Sequence, residues 1–423
     1  MASTYLTRTN GTSTLQTKFT LSVWLKRGNL SEVNILGAGS GNDKCIIFFK
    51  SDSAFEVYQN ASGSTNIQLR TNRKFRDTSA WYHLVVAYDS TETTSSDRLK
   101  LYVNGVQETS FSINTYPSSS LIPLVNKNSQ SINVGFENGT SFYFDGSMSH
   151  IHFIDGTAYD ASAFGQYDAN GVWTIKTEPS VTYGNNGFFI LKDGNSVTDQ
   201  SGNGNNFTVG GGTLTNTEDN PSNVFCTWNA LDKHASSTLS NGNTKYATSG
   251  TSQYEPAKCT LGFSAGKYYS EHQINSLSTT ACFIGIYGTS VSGQSQSEMD
   301  TSRFSYNVKN GEIIKNASNL QTGLATFTTN DILGIEVDCD AGTLKFYKNG
   351  TQVGTTITDS DISSTEWTFG TQPRLATFSS NFGNGYFGTT AVASAGTNAS
   401  GIGIFEYDVP TGYTALSTKG LNL

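Results

Sequence analysis

The stretch Glu336-Val337-Asp338-Cys339-Asp340 carries acids at a spacing that could do chemistry. In an extended strand every second side chain falls on one face, so Glu336, Asp338 and Asp340 would share a face. Two carboxylates about 5 Å apart can cleave a glycosidic bond, one as nucleophile and the other as proton donor. Against that, Asp340-Ala341-Gly342 reads as a hairpin turn, where an acid serves its own backbone. We assign no catalytic residue from the sequence.

A second set of acids could hold a metal. Asp145, Asp155, Asp160, Asp193 and Asp199 lie near predicted turns, and oxygen ligands on loops suit the hard cation Ca²⁺. The plainer reading is that Asp and Asn occupy turns for local hydrogen bonding. His150 and His152 stand two apart and would share a strand face, but no third ligand accompanies them, so they read as packing or surface residues. His83 and His234 follow no pattern, and neither a Ser-His-Asp assembly nor a nucleophile elbow can be read. The expected cofactor set is none, with Ca²⁺ the ion these acids would suit.

The elements that must position these residues are strands. From Trp81, His83, Val85 and Ala87 alternate with Leu84, Val86 and Tyr88. A second run, Leu99 to Val103, reaches Asn104-Gly105 and resumes at Val106, a hairpin signal, since Asn and Gly accept the positive φ of a two-residue turn. Asp331 to Gly354 repeats the arrangement around Asn349-Gly350. Each copy is expected to be the central antiparallel meander of its own sandwich. Earlier, Phe19, Leu21, Val23 and Leu25 face one side of a strand and Thr20, Ser22, Trp24 and Lys26 the other. NILGAGS, KCIIFFKSD, AFEVYQ and NIQLRT follow at the short intervals of a sandwich or barrel. Trp24, Trp81 and Tyr102 read as core or sheet-face aromatics rather than sugar-stacking platforms, because each sits inside a strand pattern.

Composition agrees with an all-β chain. Its 423 residues suffice for two or three domains, and only 14% are charged against 43 glycines, 20 tyrosines and 25 phenylalanines. A net charge of −8 offers no basic field for nucleic acid. The five scattered cysteines cannot all pair within one chain and show no zinc spacing, so they read as reduced, buried small hydrophobes made in a reducing cytosol. No charged-then-apolar leader and no run of about 18 apolar residues suggests a signal peptide or membrane anchor.

In combination, FTLSVWLKR, AWYHLVVAYDS, LKLYVNGVQ, SINVG and FDGSMSHIHFIDGTAYD resemble the laminin-G, concanavalin A-like lectin module over roughly residues 1 to 165. Glycoside hydrolases of that fold carry Glu-x-Asp-x-x-Glu or Glu-x-Asp-x-Glu on one strand, which Glu336 to Asp340 matches incompletely. Gly187 to Val209 either returns to the first sandwich, the preferred reading, or links two domains. Phe188, Phe189, Ile190, Leu191, Phe207 and Val209 need a core to enter, and Asn220-Pro221 supplies a boundary. SAGKYYSEHQI, ACFIGIYG, RFSYNVKNGEIIKN, the second Asn-Gly meander and PRLATFSSNFGNGYF resemble the SPRY domain over about 225 to 390. That match accounts for Glu336 to Asp340 without catalysis. The ending GIGIFEYDVPTGYTALSTKGLNL reads as a short final strand or extended tail. The whole order resembles virion structural proteins of tailed, marine-type bacteriophages.

The expected fold is all-β, two tandem antiparallel β-sandwiches, a concanavalin A-like jelly roll over 1–224 and a SPRY-like sandwich with a C-terminal tail over 225–423. The segment at about 184–210 returns to the first. The resemblance implies a non-enzymatic virion surface protein made in the bacterial cytoplasm: a capsid decoration, knob or short fibre. Its absent heptads favour a compact added protein over a complete long fibre. Expected partners are other capsid or tail proteins and host-surface or environmental carbohydrate, bound weakly through many copies or a homo-oligomer. A tail receptor-binding protein and a glycoside hydrolase of concanavalin A-like fold are the alternatives.

Overall fold

The computed structural model describes residues 3–138, 142–192, 196–250, 253–278 and 281–422. The chain forms two compact units, Met1–Asn216 and Thr217–Leu423. The division falls ahead of Asn220-Pro221, because the Glu218 amide donates to the Asn384 carbonyl and the Asn223 side chain accepts from the Lys419 amide.

Period-two alternation builds the first unit. Phe19, Leu21 and Val23 lie opposite Tyr88, Val86 and Leu84 in antiparallel register, and all six side chains enter one core. The sheet they belong to runs Phe188–Ile190, Gly146–Asp155, Lys18–Arg27, Trp81–Asp89, Leu99–Val103, Val106–Glu108. The facing sheet runs Phe111–Thr115, Ser64–Lys74, Ala54–Ala61, Asp43–Phe49, Val33–Ser40, Ser131–Val134, Tyr5–Thr9, Thr208–Gly211. The segment after residue 184 contributes to both sheets: Phe188–Ile190 pairs with Ile151–Phe153, and Thr208–Gly211 pairs with Tyr5–Thr9. Phe188, Ile190, Leu191 and Phe207 enter the core. Two neighbours do not. Phe189 points to the opposite sheet face, and Val209 stands 45% exposed on the edge strand, as alternation along a strand requires.

The second unit repeats the design with different order. One sheet runs Trp228–Lys233, Ala257–Cys259, Trp367–Pro373, Cys282–Gly288, Arg303–Asn307, Glu312–Lys315, Ser318–Gln321. The other runs Thr238–Ser240, Lys245–Ala247, Ala376–Asn381, Lys267–Leu277, Ile332–Asp338, Thr343–Lys348, Thr351–Thr358. Leu333, Ile335, Val337, Leu344 and Phe346 of this sheet meet Ile284, Ile286, Phe304 and Trp367 of the first in one core. The ending is not a free tail. Thr414–Ala415 pairs in parallel with Tyr268–Tyr269, and Phe405, Val409, Tyr413 and Ala415 are buried.

All five cysteines are buried, and none forms a disulfide. Among the described residues no helix is long and apolar enough to cross a membrane.

Candidate functional site

The outer faces of the two meander-bearing sheets hold the residues with chemical potential, and a later stretch of chain covers each. In the first unit the strand Lys18–Arg27 turns Ser22 and Trp24 outward, and Trp81–Asp89 turns His83 and Val85 outward beside them. Residues 157–183 lie over this face. Ala161 and Phe164 form a buried cluster with Val85 and Ile154, flanked by Tyr102, Tyr159, Trp173, Val181 and Tyr183. Trp24, at 5% exposure, and the partly buried Tyr102 are therefore covered from outside. Trp81 is buried as well.

His83 stacks 4.7 Å from the Trp24 indole, and the Trp173 indole lies nearly parallel to it with centroids 5.9 Å apart. The Trp173 Nε1–H donates to His83 Nδ1 at 3.0 Å, and His83 Nε2 lies 2.8 Å from Ser22 Oγ. An indole only donates, so Nδ1 must accept and the ring proton sits on Nε2. Burial pushes this imidazole down to about 3, so it stays neutral. The Ser22–His83 pair has the spacing of a nucleophile and its base, but an indole replaces the carboxylate that would stabilise an imidazolium, and Ser22 is fully buried. Neither residue stood out in the sequence. The pairing of Trp24 opposite His83 is the signal, and it exists only once the two strands are in register.

His150 and His152 do not simply alternate. The register shifts between Ser149 and His152, with His150 at φ +48°, so a bulge separates them. His150 Nδ1 bonds Ser149 Oγ, whereas His152 stacks 3.9 Å from Phe189 and its Nδ1 meets the Tyr183 hydroxyl at 2.8 Å. Burial holds His152 well below its ordinary value.

The candidate calcium acids serve separate local tasks. Asp155, 2% exposed, accepts the amides of Thr14, Leu15 and Asn186 and the Asn126 side chain. Asp199 accepts the amides of Phe189, Ser201 and Asn205. Asp160 caps a short turn through the Ser162 amide, and Asp145 accepts from the Asn29 side chain while burial pushes its carboxyl up. Asp193 lies outside the described residues. Among the described residues no three His, Cys, Asp or Glu side chains converge as a metal would require.

In the second unit Tyr269 and Glu271 of one strand, and Glu336 and Asp338 of the next, point outward, Tyr269 directly opposite Glu336. Asp340 lies past the strand end and accepts the Gly266 amide, so it does not extend the row. Asp338 pairs with Lys267 at 2.9 Å; burial works against its ionisation, and the Ala341 amide and Lys267 outweigh that and keep its carboxyl below the usual range. Glu336, 1% exposed, is held by Lys345 at 2.7 Å and by the Tyr347 hydroxyl. Glu271, fully buried, receives the backbone amides of Glu406 at 2.8 Å and Tyr407 at 2.9 Å, with Tyr269 and Asn381 completing its shell. Burial pushes this carboxyl up to about 7. Both glutamates are thus engaged inside the fold, and Glu271 ties the C-terminal segment down.

The two Asn-Gly turns receive the same treatment. Asn104 and Asn349 have φ of +47° and +50°, and each side-chain oxygen accepts a strand amide, from His83 and Ile332. A Cβ on Gly105 would lie 2.4 Å from the Trp173 ring, and one on Gly350 would lie 2.6 Å from the Tyr407 ring. Only glycine lets an aromatic ring of the covering segment approach so closely.

Comparison with known proteins places names on these units. Residues 1–162 match the concanavalin A-like lectin/glucanases superfamily, in its laminin-G form, and residues 267–369 match the SPRY domain. No curated protein matches the chain. Among solved structures, the SPRY domain of human HERC1 is 15% identical over 36% of this chain and 96% of its own, with a TM-score of 0.32. The TRIM65 PSpry domain is 14% identical over 37% and 88%, with a TM-score of 0.31. A heptameric SAP-like pentraxin from Limulus polyphemus is 15% identical over 37% and 72%, with a TM-score of 0.28. The chain carries a laminin-G, concanavalin A-like lectin module followed by a SPRY domain, on tandem antiparallel β-sandwiches.

Proposed function

We propose that the protein is a non-enzymatic binding protein of the outer surface of a tailed-phage particle, a capsid decoration, knob or short fibre that attaches weakly to surface glycans through many copies. The observation that carries the non-catalytic part is the covering of both outer sheet faces. Glu336 is bonded to Lys345 and Tyr347 and nearly inaccessible, Glu271 is bonded to the backbone of the covering segment, and Ser22 with His83 lies under Trp173. A hydrolase needs an acid and a base that reach substrate, and these groups reach protein instead. Turns and sheet ends remain outside, which suits recognition. The lectin-like and SPRY modules favour the same role. Particle location rests on the resemblance of the module order to phage virion proteins, and low single-site affinity would be raised by copy number.

The purified chain, tested on a glycan array beside an unrelated capsid protein, is expected to retain a subset of glycans above that control. Binding no better than the control removes the attachment role. Immunogold labelling of particles, expected at the exterior, tests location separately.

A further inference from the structure

At the Asn349-Gly350 turn the second unit opens a cleft of about 120 Å³, lined by Tyr269, Tyr347, Gly350, Tyr407, Asp408 and Pro410. We propose that this cleft is a subsite for one neutral pyranose ring, the terminal sugar of a glycan; this assignment rests on the glycan-binding reading and gives it a place and a ligand class.

Size sets the first limit. A closed cavity of about 150 Å³ admits a benzene ring, so an open cleft of this volume takes one six-membered ring and leaves the rest of a glycan in solvent. The walls set the second. Tyr347 and Tyr407 are partly exposed and line the cleft, and the π face of an aromatic ring attracts the slightly positive C–H face of a sugar. Polar groups line the same cleft. Asp408 is exposed and uses Oδ1 to accept the Thr397 amide at 2.7 Å and hydroxyl at 2.8 Å, which leaves Oδ2 as an acceptor for a sugar hydroxyl. Tyr347 already donates its proton to Glu336, so its oxygen can only accept.

Charge excludes the acidic sugars. Asp408 lines the cleft with an exposed carboxylate, while Glu336 behind Tyr347 is paired with Lys345, so it is the Asp408 charge that sialic and uronic acids would meet. The walls are also fixed in advance. The Tyr407 ring rests on Gly350, and the Tyr407 amide is held by Glu271, so little ordering remains for the ligand to supply.

Saturation-transfer NMR on the full chain tests this with methyl glycosides of glucose, galactose, mannose and N-acetylglucosamine, and with N-acetylneuraminic acid as the acidic comparator. At least one neutral glycoside is expected to bind and the acid not. Asp408→Asn keeps an Oδ1 acceptor for Thr397 and is expected to weaken binding about tenfold, the scale of one hydrogen bond to a charged group. Tyr407→Ala is expected to abolish it, with unchanged circular dichroism verifying the fold of each variant. Retained binding in both variants places the ligand elsewhere and overturns the subsite while leaving glycan attachment standing. Preference for the acidic sugar overturns the neutral-ligand assignment. Silence from every glycoside overturns the subsite, and silence on the glycan array as well takes the attachment reading with it.

Discussion

The two covered sheet faces solve one problem in opposite ways. Each places ionisable side chains on the outside of an antiparallel sheet and then buries them, and a buried charge is costly unless it is neutralised or fully bonded. The first unit neutralises: His83 stands uncharged, stacked on Trp24 and bonded by the Trp173 indole, and His152 lies against Phe189. The second unit bonds: Glu271 collects two backbone amides, and Glu336 collects a lysine and a tyrosine. The supporting hairpins are alike down to the aromatic ring over the glycine. The lesson is that the Asn-Gly meander is a scaffold, and the chemistry of each face is set by what later covers it.

Removing Glu271 should break this parallel most severely. Glu271→Ala leaves the Glu406 and Tyr407 amides without their acceptor, a loss of about 3 to 5 kcal/mol that is confined to the second unit. In a denaturant titration the second unit's transition is expected to move and the first to stay. Movement of both would mean the covering segment does not belong to one unit alone.

Acid should separate the units next. Unfolded imidazoles titrate near 6.5, so below that pH the unfolded first unit binds protons that neutral His83 and His152 refuse. Its stability then falls by roughly 1.4 kcal/mol per pH unit for each ring. In the second unit His272, which burial pushes down to about 3, contributes the same fall. Glu271, raised to about 7, opposes it: between about pH 4.5 and 7 its folded form holds a proton that the unfolded form has released, so acid stabilises. Glu56 and Asp145 of the first unit, also raised by burial, blunt its loss toward the carboxylate range. Calorimetry between pH 6.5 and 5 is expected to show the first melting transition dropping while the second holds, and Glu271→Gln should make the second drop as well. Equal acid sensitivity of the wild-type units would contradict the comparison.

Smaller effects sharpen it. Trp173→Ala uncovers His83 and should cost the first unit about 2 kcal/mol, less than a fully buried tryptophan because the ring is partly exposed. NMR titration should find the His83 value raised toward 6.5. Asn104→Ala and Asn349→Ala each lose a residue suited to positive φ and one side-chain bond to a strand amide. Each should cost about 1 kcal/mol, and unequal costs would show that the two turns are not equivalent supports.

The strands and turns were legible because they obey short-range rules: the alternation from Phe19 to Leu25 and the Asn-Gly pairs at 104 and 349 appear in any window of ten residues. Asp338 was read on its strand face correctly, while Asp340 fell beyond the strand end, a boundary that alternation alone does not mark. The covering segments were not legible. Residues 163–183 and 393–416 lie outside the stretches that match either family, and their strands, Gly165–Tyr167, Trp173–Ile175 and Thr414–Ala415, are only two or three residues long, so nothing periodic announces that Trp173 reaches His83 or that Tyr407 reaches Glu271. Those contacts join residues 90 and 136 positions apart. The cover over Trp24 depends on the first, and the anchoring of the C-terminal segment on the second.

The central claim is that the protein's own chain closes both faces, and hydrogen exchange of the intact chain measures it directly. Amides of Glu406 and Tyr407, and that of Lys176, which bonds the Phe164 carbonyl, are expected to exchange as slowly as those of the strands beneath them. Exchange at the rate of exposed loops would mean that the faces stand open, and would contradict the account.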